Sequence, residues 1–203
     1  MSFITFEGID GSGKSTQARC LANWLKERGI DVVLTREPGG SEGAEQIRKL
    51  VLEGATDRWS AESELLLFTA ARRDHLERLI EPSLKDGKVV ICDRFVDSTR
   101  VYQGLRRADL RRLVDDLHAL MICCEPDLTL LIDTDPERGL DRANARGGDE
   151  ARFESFGPEL QKKVRAGFLA LAREHPKRIV VIDGNRDVDA VAADVASAVE
   201  AQL

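Results

Sequence analysis

Eight residues near the start of the chain, Gly8-Ile9-Asp10-Gly11-Ser12-Gly13-Lys14-Ser15, fit the pattern G-x-x-x-x-G-K-[ST], whose chemistry is the grip of a polyphosphate. In such a loop the glycines let successive backbone N–H groups curl round phosphate oxygens, and the lysine neutralises charge building on a transferred phosphoryl group. The serine hydroxyl can ligate magnesium. The pattern requires a strand before it and a helix after it. The apolar SFITFEG precedes it and a stretch of helical period begins at Lys14, so a helix N-terminus adds its dipole to the grip. Gly8, Gly11, Ser12, Gly13, Lys14 and Ser15 are therefore read as a nucleotide phosphate site. A guanine switch would also need N-K-x-D. The three asparagines, Asn23, Asn144 and Asn185, are followed by Trp, Ala and Arg, which argues against that class.

Three further groups of residues could act with this loop. Cys92-Asp93-Arg94-Phe95 closes an apolar run. That places an acid and a guanidinium at the carboxyl edge of a sheet, where ligands bind in open α/β folds. Asp93 can hold magnesium or position an acceptor, and Arg94 can fork onto a second phosphate; a structural ion pair at a strand end is the plainer alternative. Thr35-Arg36-Glu37-Pro38-Gly39-Gly40 follows another run; its Pro-Gly-Gly is a sharp turn, and its Arg36-Glu37 again sits at a carboxyl edge. The segment RANARGGDEARF, 142–153, carries Arg142, Arg146 and Arg152 around a Gly-Gly pair, as an exposed hinged loop or a solvated connection between helices would.

The elements that must position these residues are legible from periodicity. Five apolar runs, SFITFEG, DVVLT, KVVICD, DLTLLID and RIVVID, alternate with segments of helical period at 14–28, 42–53, 61–85, 98–120, 136–145, 157–174 and 187–201. Near-continuous Val/Ile/Leu runs between helices predict a five-stranded parallel sheet with helices on both faces, in one domain over 1–203 with a lid of about 142–156. Within 61–85, Leu65, Leu66, Phe68, Ala71, Leu76, Leu79 and Ile80 share most of one stripe. Phe68 and Arg72, four apart, share a face. On its own Phe68 would be read as core, and Tyr102 as an ordinary amphipathic helix residue.

Composition narrows the classes. The 203 residues are 42% hydrophobic and 5% aromatic, and 36 acidic against 30 basic side chains leave a net charge of −6. That balance argues against a nucleic-acid coat, so no nucleic-acid partner is expected. The chain opens on MSFITFEG and has no apolar run long enough to span a bilayer, which predicts a cytoplasmic protein without a membrane partner. Cys20, Cys92, Cys123 and Cys124 lie in apolar patterns and are expected to be buried free thiols. His75, His118 and His175 are too scattered for zinc and are expected at the surface.

FEGIDGSGKSTQ, TREPGGS, LLLFTAARRDH, DRFVDSTRVYQG and the ARG…RFE lid pattern stand here in the order and spacing of bacterial thymidylate kinases, and the chain resembles that family over essentially its whole length. The resemblance implies a P-loop nucleoside monophosphate kinase fold, magnesium-dependent transfer of the γ-phosphoryl group from ATP to dTMP, and a homodimer. It implies that Lys14, Ser15 and Thr16 cradle ATP, and that Asp10 within the loop approaches the acceptor's sugar and phosphate. Arg36 and Arg94 would lie near the dTMP phosphate and Pro38 beside the base. Phe68 would stack on thymine, Arg72 would bond a ring carbonyl, Ser98 and Thr99 would lie near the base, and Tyr102 and Gln103 would line the sugar side. Arg142 would stack on adenine, with Asp183-Gly184-Asn185 closing round that base. Because Ile9 to Ser12 contain no arginine, Arg146 and Arg152 of the lid would join Lys14, Asp93 and Arg94 in catalysis. Two departures stand out. Leu105-Arg106-Arg107-Ala108 replaces the glycine-rich continuation common in the family, and Ala151 replaces an acid before Arg152. A kinase of another small acceptor and a nucleotide-binding regulator with vestigial catalysis are the alternatives.

Overall fold

The structure is a computed structural model that describes residues 2–55, 57–146 and 157–202. Five strands, β1 (Phe3–Glu7), β2 (Val32–Arg36), β3 (Val89–Asp93), β4 (Leu128–Asp133) and β5 (Ile179–Asp183), form one sheet in the order β2-β3-β1-β4-β5. All four pairings are parallel. The chain leaves β1 towards β2 on one side and β4 towards β5 on the other, which opens a crevice between them at the carboxyl edge. Register sets the level of the chemistry there, with Phe6 and Arg36 both opposite Asp93, and Asp133 opposite Asp183.

The two faces of the sheet are covered by different helices. On one face α1 (Lys14–Lys26) and α9 (Val188–Glu200) lay Ala18, Leu21, Leu25, Val191, Val195 and Val199 against Ile4, Phe6, Ile91 and Leu130. On the other, α3 (Ala61–His75), α5 (Val96–Arg106) and α6 (Ala108–Leu117) enclose Phe3, Val90 and Cys92, while α8 (Pro158–Glu174) packs Val164, Phe168 and Leu171 with Val101 and Leu131. Burying both faces of the inner strands explains their unbroken apolar runs. The edge strands show the exception: Leu34 on β2 and Val181 on β5 are exposed. The remaining helices are α2 (Glu42–Leu52), α4 (Glu81–Lys85) and α7 (Pro136–Arg146).

Several expectations need correction. The 98–120 segment is two helices, because Arg107 is extended (φ −159°, ψ 128°) and its side chain reaches Glu62 and Asp109. Gly104 in the last turn of α5 is the only local hint of that corner, and burial of Leu110 and Val114 anchors α6 beyond it. The 61–85 path is continuous, but passes through a π-helical turn at Leu76–Ile80 just before Pro82, which has no N–H to extend the ladder. A similar turn spans His118–Ile122. Leu66 leaves the apolar stripe and is exposed. Of the free cysteines only Cys92 is buried, while Cys20 and Cys124 are half-buried and Cys123 is exposed. His75 and His118 are buried rather than superficial.

Candidate active site

The loop from Gly8 to Gly13 joins β1 to α1 at the crevice. α1 has neither a side-chain cap nor an acidic residue in its first turn, whereas α2 and α3 each open with two glutamates. A helix start left this bare favours an anion. The Lys14 ammonium is buried and donates to the Ile9 carbonyl at 2.7 Å and to Ser12 Oγ at 3.4 Å. Burial pushes its pKa down to about 8, and the nearby Arg94 charge acts in the same direction. The loop is braced from outside. Thr134 Oγ1 donates to the Ser12 carbonyl at 3.2 Å. Gly11, at φ +73°, backs onto α7, where a Cβ would stand 1.9 Å from the Gly139 carbonyl oxygen.

At the ends of β1 and β3 a set of charges spans the crevice. Ser15 Oγ donates to Asp93 Oδ2, and Asp93 Oδ1 is buried with no hydrogen-bond partner among the described residues. Arg94, one of two non-glycine residues with positive φ (71°) among the described residues, turns back over the sheet. Its guanidinium pairs with Asp10 and donates to Ser98 Oγ at 2.9 Å and to the Gly8 carbonyl at 3.3 Å. A bulky residue held in the left-handed region is a strain that packing must sustain, and such strain gathers at working sites. Burial works to raise the Asp10 pKa, but the Arg94 and Lys14 charges override it and hold the carboxyl below its ordinary value. Tyr102 donates to Asp10 Oδ2 at 3.3 Å; burial, with the Asp10 charge behind it, pushes the phenol well up, so it stays a donor.

Beyond Asp10 and Arg94 the crevice opens into a cleft. Phe68 and Arg72 of α3 line it beside Pro38 and Arg48, and Ser98, Thr99, Tyr102 and Gln103 of α5 form the opposite side. Arg72 is itself buried: its Nε donates to Glu37 at 2.8 Å, its Nη2 to Thr99 Oγ1 at 2.9 Å, and its guanidinium lies 5.0 Å over the Phe95 ring. Gln103 donates to Glu64 at 2.8 Å, and its amide oxygen has no hydrogen-bond partner among the described residues. An aromatic ring, a fork donor and an amide around one cleft suit a planar polar ligand.

The expected residues therefore separate. Asp10, Pro38, Phe68, Arg72, Arg94, Ser98, Thr99, Tyr102 and Gln103 all line the cleft. Arg36 does not: its side chain is 56% exposed and ion-paired with Glu45 at 3.2 Å. Thr16 lies within α1, and Arg142 is exposed on α7. The Asp183–Asn185 loop is tied to the start of α7, because Arg138 donates to the Asn185 carbonyl at 2.6 Å and Asn185 accepts from the Asp135 N–H at 2.9 Å. The Arg146 side chain, Arg152 and the rest of 147–156 lie outside the described residues. Four residues were missed. Arg48 and Glu37 line the cleft, Gln161 of α8 hydrogen-bonds Asp10, and Glu7 accepts from Phe95 N–H, Ser98 N–H and Ser98 Oγ. Glu7 and Glu37 carried a signal, each as a charge at the carboxyl end of an apolar strand.

A phosphate loop at the centre of a parallel α/β sheet, joined by one carboxylate–guanidinium pair to a second cleft lined by an aromatic ring and a buried arginine, defines a nucleoside monophosphate kinase of the P-loop class. Comparison with known proteins agrees. A sequence model described as thymidylate kinase matches residues 6–195, and on that match the chain belongs to the thymidylate kinase family. It is 72% identical over 201 residues to the thymidylate kinase of Ruegeria pomeroyi, covering 99% of this chain and 95% of that one. To the thymidylate kinase of Dinoroseobacter shibae it is 67% identical over 192 residues, 95% and 93% of the two chains. The crystal structure of thymidylate kinase from Ehrlichia chaffeensis superposes with a TM-score of 0.80 at 39% identity, covering 98% of each chain.

Proposed function

We propose that this chain transfers the γ-phosphoryl group of ATP to the phosphate of dTMP, giving ADP and dTDP. The observation that carries the reading is the Asp10–Arg94 pair, which stands at once in the phosphate loop and in the wall of the cleft beside Phe68 and Arg72. An oxygen of the acceptor phosphate attacks the γ-phosphorus in line, and the bond to the β-γ bridging oxygen breaks, its electron pair leaving with ADP. The acceptor is already ionised near neutral pH, so the protein's task is to bring two anions together and stabilise the charge they share. Lys14 and the start of α1 hold the donor phosphates, Arg94 the acceptor phosphate, and Phe68 and Arg72 the base. Arg146 and Arg152 are assigned to the transition state because the loop positions 9–12 contain no arginine.

Ser15 and Asp93 fit a magnesium ion: both are hard oxygen donors, and Asp93 Oδ1 is buried without a hydrogen-bond partner among the described residues. An ion that keeps water and phosphate ligands needs only one or two protein oxygens. When bound, it neutralises charge on the donor phosphates. A homodimer belongs to this reading, supported by exposed Leu66, Leu105 and Leu113 on the mutually packed α3, α5 and α6. So does a cytoplasmic setting, supported by four free cysteines.

An assay of ADP formation over dTMP, dUMP, dCMP, dGMP and UMP tests the proposal. Turnover with dTMP should have the highest kcat/KM of the five. A higher value with another acceptor would reassign the cleft, and no acceptor-dependent ADP at all would favour a regulator.

A further inference from the structure

His75 closes the LLLFTAARRDH run, where the resemblance gives it no role, yet it is fully enclosed behind the cleft, at 0% exposure. Its Nε2 lies 2.8 Å from Thr35 Oγ1 on β2, and its Nδ1 lies 3.2 Å from Glu37 Oε1. The other oxygen of that carboxylate, Oε2, accepts from Arg72 Nε at 2.8 Å. One carboxylate is therefore shared between two α3 side chains three residues apart, on the same helix face. The loop after β2 closes over the far side of the ring: at Gly40 a Cβ would meet His75 Nε2 at 2.3 Å and Thr35 Oγ1 at 2.4 Å.

This arrangement does more than fill space. A carboxylate bonded to Arg72 through one oxygen alone could swing about that contact. A second bond to the other oxygen fixes the plane of the carboxylate, and with it the direction in which Arg72 presents its remaining N–H groups. Glu37 can only accept, so Nδ1 carries a proton towards it. Thr35 and the loop backbone then hold the ring against β2.

We propose that His75 is a positioning residue for acceptor selection: through Glu37 it orients the Arg72 guanidinium that faces the base. The proposal rests on the reading of the cleft as the dTMP site and on Arg72 as the donor to thymine. Selection between a carbonyl and an amino group on the base depends on where that donor points, because a misdirected guanidinium bonds the right base poorly and repels the wrong one less.

The test compares two substitutions of similar size. His75→Asn places an amide nitrogen near the position of Nδ1 and keeps the bond to Glu37, whereas His75→Gln places its amide near Nε2 and keeps only the bond to Thr35. For each variant kcat and KM are measured with dTMP and dCMP, together with KM for ATP and the melting temperature. For His75→Gln the kcat/KM preference for dTMP should fall about tenfold, through KM for dTMP, with KM for ATP unchanged. His75→Asn should retain the preference to within about twofold. Equal preference in the two variants, or losses that follow only the melting temperature, would overturn the positioning role. Arg72→Ala separates the two levels of inference. If it leaves the preference intact, the underlying reading of the cleft fails. If it abolishes the preference while His75→Gln does not, only the role of His75 fails.

Discussion

The donor and acceptor ends of the crevice are built on opposite plans. The phosphate loop is eight consecutive residues whose working groups are largely backbone N–H, held by one strand, one helix start and the back of α7. The cleft proposed for the acceptor draws its groups from residue 10 to residue 103, on three helices and three strand-end loops, and nearly all of them are side chains already engaged with one another. Backbone recognition depends on the path of the chain and tolerates many side chains nearby. Side-chain recognition depends on orientation, so each group needs a partner that holds it. The first plan suits a ligand gripped by its phosphates, and the second a ligand that must be told apart from its neighbours.

The sharpest way to break this contrast is at Lys14, the loop's one indispensable side chain on this account. Lys14→Ala should lower kcat by a factor on the order of 10³, as loss of a preorganised charge does, with the unliganded melting temperature unchanged. An unaltered kcat would remove the donor site from the loop.

Next comes Glu7, where the two ends are joined: it closes β1, leads into the loop, and binds the first turn of α5 through Phe95 and Ser98. Burial, followed by the Asp97 charge, raises its pKa from 4.5 to about 7 against the pull of those donors. Between these values the folded protein holds a proton that the unfolded chain has released. This contribution to stability is therefore complete below pH 4.5 and lost as pH rises through about 7. Glu7→Gln should remove that slope, so that the stability of wild type relative to the variant falls by on the order of 3 kcal/mol from the bottom of the window to the top. Urea midpoints at several pH values measure it, and parallel curves would contradict the assignment.

The smallest effect is the most discriminating. Arg72→Ala should cost roughly 1 to 3 kcal/mol of the preference for dTMP over dCMP, the scale of one buried group left without its partner. Phe68→Ala should weaken both acceptors and leave their ratio nearly fixed, because a ring face supports either base. Comparison of kcat/KM for both acceptors in both variants decides it. A loss of preference in Phe68→Ala equal to that in Arg72→Ala would show that stacking, not hydrogen bonding, sorts the bases.

What could be read from the sequence follows the same division. The five strands and the phosphate loop were legible because each is a contiguous pattern with a local cause, and Asp93 and Arg94 because a strand end places them at the edge. Arg36 met the same positional argument and register does bring it level with Asp93, but position alone does not tell where the side chain goes, and here it pairs with Glu45 outside the cleft. The corner at Arg107 was not legible, since Gly104 is its only local hint and the burial of Leu110 and Val114 anchors α6 beyond it. Gln161 has no spacing to betray it, and although Glu37 and His75 stand in noticed motifs, their roles come from contacts with other elements that no local pattern encodes. The place of Phe68 in the cleft wall was readable only through resemblance; by periodicity alone it is indistinguishable from core.

The contact between Gly11 and Gly139 gives two positions 128 residues apart a single shared tolerance. A side chain on Gly11 would strike the Gly139 carbonyl, and one on Gly139 would strike the Asp10 carbonyl at 2.8 Å and Ile9 Cδ1 at 2.9 Å. Neither position can enlarge to compensate for the other, since both clashes fall on backbone. A screen for variants with altered nucleotide use would thus find this seam closed from both sides, and any change in the pitch of α7 would be transmitted to the phosphate loop as a displacement of its backbone.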